Sequence, residues 1–218
     1  MSWLVKLRQQ ARKDLVAAGS LLASVAALAV SIVSCQIALD AQNQAVTQFR
    51  QERQLVLTAT FETPKASGSC SSIKAQPISQ DFKFQEGRAY LPPEIYKEPI
   101  PIANDGDFHS MGSVCFDFQK FIKTKLPAKP GYTQVGDGAI PLFIESFYAV
   151  KGESYTDKSL YVLNTLIVVS DKEEELPSIT FEGLSFVQRF PPEAPFNMKL
   201  LSDLANSPQG FYIKPKGP

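Results

Sequence analysis

The chain is poor in the residues on which most enzyme chemistry is built. Its 218 residues hold one histidine, His109, one tryptophan and three cysteines, Cys35, Cys70 and Cys115. A zinc centre needs three or four His, Cys or carboxylate ligands at fixed spacing, and no CxxC or HExxH is present, so no metal ligand is assigned. No Walker loop, GxGxxG fingerprint or GxSxG elbow occurs either, and with them go the signatures of nucleotide, dinucleotide and acyl-transfer sites. No cofactor and no catalytic residue is expected. A hydrolase would have to assemble its site from scattered Ser and Asp around His109, and it stands as the lesser alternative. Asn104-Asp105-Gly106-Asp107 gathers oxygens but lacks the alternating ligands and closing Glu of a calcium loop, so it reads as a tight turn.

Charge of one sign is missing too. Lys and Arg number 22 against 22 Asp and Glu, with no long basic run, so nucleic acid is not an expected partner, because phosphate contacts need clustered cations. An apolar fraction of 44% excludes a disordered chain, and 16 prolines exclude a helical bundle throughout. There is no N-x-[ST] sequon, which suits a bacterial cell envelope better than a eukaryotic secretory lumen.

The most informative gap is local. From Leu15 to Cys35 the chain reads LVAAGSLLASVAALAVSIVSC, without charge or proline. As a helix it would cover about 31 Å, the thickness of a bilayer's hydrocarbon core, and it is read as a transmembrane helix over 15–35. It exceeds the apolar region of a cleaved signal peptide. Lys6, Arg8, Arg12 and Lys13 in the short basic segment 1–14 outnumber Arg50 and Arg53 beyond the span, which orients the amino terminus toward the cytoplasm. Gly19, Ala23, Ala27, Ser31 and Cys35 recur every fourth residue and form a ridge of small side chains on which two such helices can approach, so a homo-oligomer through the span is expected. Ile32-Val33-Ser34-Cys35 resembles the lipobox of bacterial lipoproteins, which implies as an alternative a chain lipidated at Cys35. Apolar helix, helical extension and β-domain together resemble the layout of type IV pilins and pseudopilins. Ser24, however, stands where that family places a Glu five residues beyond the glycine of its cleavage site, here Gly19, so no residue role is carried over.

Residues 36–54, rich in Ala, Gln and Arg and free of Gly and Pro, continue as a helical stalk. Ile32, Leu39, Val46 and Arg53 fall seven apart, but the intervening positions are Gln36, Asn43 and Arg50, so a solvated stalk is the expectation rather than a coiled coil. At about residue 55 the apolar period changes to two. Strands are predicted at Leu55–Glu62, Phe82–Gln85, Ile100–Asn104, Ser113–Gln119, Ile140–Val150, Leu160–Ser170 and Ser178–Phe181, with one helix at Lys199–Ala205. Residues 55–205 are therefore a mainly β domain, an antiparallel β-sandwich of immunoglobulin-like or Greek-key type, and 206–218 a tail. Leu91–Ile102 and Phe190–Phe196 are proline-rich and read as stiff loops. Cys70 and Cys115 form a disulfide if the domain meets an oxidising compartment; Cys115, between Val114 and Phe116, fits a buried thiol equally well. The resulting expectation is a single-pass protein of the bacterial inner membrane whose β-domain, on the periplasmic side, binds or assembles with an unidentified protein partner. An oligomeric structural subunit is the alternative.

Overall fold

The computed structural model describes Leu28 and residues 30–49, 51–62, 70–207 and 211–212. Contacts divide the chain into two units, Met1–Gln54 and Leu55–Pro218. In the first, residues 30–49 form one helix, α1, whose side chains are all exposed. Among the described residues no helix is long and apolar enough to cross a membrane. Residues 15–27 and 29 of the expected span lie outside the described set.

The second unit is mainly β. Its strands are β1 (Leu57–Glu62), β2 (Ser72–Pro77), β3 (Phe82–Tyr90), β4 (Ile100–Ile102), β5 (Gln134–Val150), β6 (Glu153–Val169), β7 (Ser178–Phe190) and β8 (Phe211–Tyr212). Its helices are α2 (Met111–Lys125) and α3 (Met198–Ala205). A main antiparallel sheet runs β4-β3-β5-β6-β7, with β8 paired to β5, and β1 and β2 form a separate antiparallel pair. The backbone of the sheet is the β5–β6 hairpin, in register from Gln134↔Val169 to Val150↔Glu153 without a bulge. Lys151 (φ 52°) and Gly152 (φ 83°) close it with both central residues left-handed, the turn whose twist matches that of the flanking strands.

Period two places Ile140, Leu142, Ile144 and Tyr148 of β5 and Tyr161, Leu163, Ile167 and Val169 of β6 on the inner face. Leu57 of β1, Ile73 and Ala75 of β2, and Val114, Phe118, Phe121 and Ile122 of α2 cover that face in one continuous apolar cluster. On the outer face Phe143 and Leu160 make a smaller cluster with Leu201 of α3, where Phe196 stacks on Phe143 with ring centroids 4.7 Å apart.

Ser113–Gln119, expected as a strand, lies in the amino-terminal part of α2. Its buried residues, Val114, Cys115, Phe118, Gln119, Phe121 and Ile122, recur at helical spacing, and the local alternation around Cys115 concealed that longer period. Lys123 and Lys125 in its last turn complement the helix dipole. β2 and β8 lie where no strand was expected, whereas α3 covers the one predicted helix. β3 and β7 extend well beyond the segments predicted for them.

Candidate functional site

Two places on the β unit combine polar chemistry with fixed geometry. The first is a clamp at the start of the domain. Asp157 on β6 is 5% exposed; it accepts from Nε of Arg189 on β7 and, at 2.5 Å, from Oγ of the buried Ser159. Nη2 of the same arginine donates to the Leu55 carbonyl, and the Leu57 amide donates to the Tyr161 hydroxyl at 3.1 Å. Leu55 and Leu57 are themselves buried. Side chains of β6 and β7 thus hold the first backbone groups of the domain. Burial pushes the Tyr161 hydroxyl up to about 12, with a smaller upward push from Asp157 and an opposing effect of the Leu57 amide. Tyr148, stacked on Tyr155 at 5.8 Å, is also raised, first by burial and then by Asp157. A carboxylate tied to an arginine and a hydroxyl, beside tyrosines held in their neutral form, is suited to holding backbone in place rather than to moving protons.

The second place is an open groove of about 360 Å³ beside the disulfide. Cys70 and Cys115 are bonded, with Cα atoms 5.7 Å apart, fastening the segment before β2 to α2. Cys70, Ser71, Ser72, Met111, Gly112, Cys115, Phe116, Gln119 and Leu176 line the groove. Gln119, buried on α2, donates its amide to the Pro177 carbonyl at 2.8 Å and anchors the approach to β7. Phe116 is 47% exposed, and the Ser71 hydroxyl is buried with no hydrogen-bond partner among the described residues. Among the described residues that line the groove none is an acid, a base or a histidine, and what these residues offer a ligand is shape and apolar contact. A second void, of about 20 Å³ between α2 and the main sheet, is too small for more than a water-sized guest.

Of the described residues singled out in the sequence, the structure brings together Cys70 and Cys115. His109 is exposed at the turn before α2, its amide donating to the Pro101 carbonyl at 2.9 Å. No group of three His, Cys, Asp or Glu able to hold a metal occurs among the described residues. Asn104–Asp107 is a turn: Gly106 (φ 89°) accepts from the Ala75 amide at 2.9 Å. The Asp107 amide, with lesser help from Lys74, holds the Asp105 carboxyl below its usual range. Ser31 and Cys35 lie on α1, and Cys35 is an exposed free thiol. Lys6, Arg8, Arg12, Lys13, Gly19, Ala23 and Ala27 fall outside the described residues. The clamp was not found from sequence, since Asp157 and Arg189 are 32 residues apart on different strands and pair only once β6 and β7 are in register.

Comparison with protein-family models, with curated proteins and with solved structures finds no match to this chain.

Proposed function

We propose that the protein is a single-pass membrane protein of the bacterial inner membrane that displays its β unit on the periplasmic side, where the unit binds or assembles with a protein partner. The observation that carries this reading is the uncharged run Leu15–Cys35, long enough to span a hydrocarbon core, preceded by Lys6, Arg8, Arg12 and Lys13. The Cys70–Cys115 disulfide supports the side, because such bonds persist in oxidising compartments and are rare where thiols are kept reduced. The shape and apolar contact that the described lining residues of the disulfide groove offer favour binding there. In fold the β unit is a sandwich-like module, broadly immunoglobulin-like, with the β1–β2 pair and α2 as the layer facing the main sheet.

The test is extraction and labelling of the full chain in intact cells. The protein is expected to stay in the membrane pellet through alkaline carbonate washing. An impermeant thiol reagent is expected to reach Cys70 only after reduction, with the inner membrane still sealed. Release by carbonate, or labelling only after lysis, overturns the anchor and the orientation respectively.

A further inference from the structure

The groove beside the disulfide opens at the amino-terminal end of α2. Its floor is buried: Ser71, Cys115 and Gln119 are 1%, 4% and 2% exposed. Met111 and Gly112, the first two helical residues, stand at its rim with Phe116 and Leu176. Two ties fix Ser71 against this end of the helix. On one side Cys70 is bonded to Cys115, and on the other the Ile73 carbonyl accepts from the Phe108 amide at 3.1 Å. The donors gathered there are unmet. Ser110 caps α2 without a side-chain hydrogen bond and its carbonyl takes the amides of Ser113 and Val114, whereas the amides of Met111 and Gly112 have no partner among the described residues. The Ser71 hydroxyl, buried on the floor, has none either. A hydroxyl shut away from water without a partner is costly, and an acceptor on a ligand would offset that cost. Gly112 has nothing within 4 Å of the place that a Cβ would take, so a ligand can reach its backbone. The first turn of α2 holds no acidic residue, and Lys120 brings its ammonium 4.1 Å from the centre of the Phe116 ring at the rim.

We propose that this groove holds the free carboxyl terminus of a partner polypeptide that ends in an apolar residue. Unmet amides at the positive end of a helix, with a lysine at the rim, favour an anion. A carboxylate matches the donors: one oxygen meets the Met111 and Gly112 amides and the other the Ser71 hydroxyl. What the carboxylate is attached to must be apolar, because past the amides the groove offers Phe116, Leu176 and the disulfide. Its volume of about 360 Å³ is at the small end of ligand sites, room for one terminal residue rather than a longer segment. The groove is open, so the chain behind that residue can leave into solvent, which the end of a polypeptide needs and a small free acid does not. Capture of a terminal carboxylate by successive backbone amides is a recurring mode of peptide recognition. The inference rests on the reading above for the partner being a protein, and adds the chemistry by which it is held.

Fluorescence anisotropy of the full chain in phosphatidylcholine nanodiscs, titrated against a fluorescein-labelled Gly-Ser-Gly-Ser-Leu peptide, tests the site. The free-acid peptide is expected to bind saturably, and the same peptide amidated at its carboxyl terminus about tenfold more weakly, the worth of a charge-assisted hydrogen bond. A free acid ending in Ser instead of Leu should also lose about tenfold, since it leaves Phe116 and Leu176 uncovered. Gly112→Asp and Gly112→Asn fill the same open space, but only the first sets a charge at the amides, so it should bind about tenfold more weakly than the second while its melting temperature does not fall. Ser71→Ala should weaken binding about fivefold without lowering the melting temperature, because the hydroxyl has no partner to lose. Equal binding of acid and amide, or of the Asp and Asn variants, overturns the carboxylate, and no saturable binding of the free acid overturns the site. Displacement of the peptide by 4-methylpentanoate at the peptide's own dissociation constant overturns the polypeptide as occupant. A chain that carbonate releases from membranes and that still prefers the acid over the amide keeps the site and overturns the anchor. A chain that stays in the pellet and binds no free acid does the reverse.

Discussion

Arg189 joins the carboxylate of Asp157, one strand away on β6, to the carbonyl of Leu55, the first residue of the β unit. Asp157 is 5% exposed and the arginine side chain 23%, so the pair is shielded well enough for its loss to be felt. Arg189→Met would leave the buried Asp157 carboxylate with the Ser159 hydroxyl but without its arginine, and would take the Nη2 donor from the Leu55 carbonyl. Removing one member of a buried pair costs about 3 kcal/mol, read as a lowered urea midpoint at unchanged slope. Combining it with Asp157→Asn should cost less than the sum of the two, because the second change removes the stranded charge. Additive losses would show that the two side chains act independently. Arg189→Lys should recover little, since one ammonium cannot reproduce the planar fork that reaches both acceptors.

Tyr161 gives the fold an alkaline limit. Its hydroxyl is pushed up to about 12 in the folded chain and titrates near 10 when unfolded, so the folded state holds the proton more tightly. The stabilisation is therefore complete below pH 10 and is lost as pH rises from 10 to 12, by about 3 kcal/mol in all. Tyr148 is raised as well and adds in the same direction. Tyr161→Phe should cost about 1–3 kcal/mol at pH 7, because the Leu57 amide loses its acceptor, and should flatten the decline above pH 10. Thermal melts from pH 7 to 11.5 check both. A wild-type melting temperature that does not fall faster than the variant's above pH 10 would remove the tyrosine from the account.

What could be read from the sequence followed from period. Leu142–Val150 and Leu160–Val169 are long apolar runs within predicted strands and became the β5–β6 hairpin, closed at Lys151-Gly152. α2 was missed because Val114, Cys115 and Phe116 are strand formers in a short window, and its period emerges only once Phe118, Phe121 and Ile122 are counted with them. β2 was missed because Ser72-Ile73-Lys74-Ala75 has only small or single apolar residues on its inner face, burying Ile73 and Ala75 against its neighbours. The same holds for the candidate site. Cysteine arithmetic confines the choice to one pair within the domain, but Asp157, Arg189 and Tyr161 are ordinary residues until strand register brings them to Leu55 and Leu57. Tertiary pairing, not local composition, makes the clamp.

Two glycines in left-handed backbone separate conformational cost from steric cost. Gly106 (φ 89°) lies against β2, where an added Cβ would stand 1.8 Å from the Ala75 carbonyl oxygen. Gly152 (φ 83°) has nothing within 4 Å of the same position. Gly152→Ala should cost about 1 kcal/mol, the left-handed penalty alone. Gly106→Ala should cost more than about 3 kcal/mol, because the Asn104–Asp107 turn must also move off β2 and gives up the Ala75 amide bond. Equal midpoints for the two variants in urea would mean that the turn yields without cost and that its contact with β2 contributes little.

The disulfide offers the largest single test of how the β unit is held. Cys70 and Cys115 are separated by 45 residues, and in the chain-entropy model closing such a loop contributes about 4 kcal/mol by restricting the unfolded chain. For a domain of this size that corresponds to roughly 10 °C in melting temperature. Cys70→Ala alone should give nearly the full loss, and adding Cys115→Ala should lower stability little further, since the first substitution has already opened the loop. Cys115→Ser should be worse than Cys115→Ala, because the side chain is 4% exposed and a hydroxyl there enters the apolar face of α2. Reduction of the wild type by dithiothreitol should reproduce the Cys70→Ala midpoint, as the half-buried Cys70 at the groove gives the reagent access. If the reduced and oxidised proteins unfold at the same urea concentration, β2 and α2 are held by packing alone, and the bond has no part in stabilising the fold.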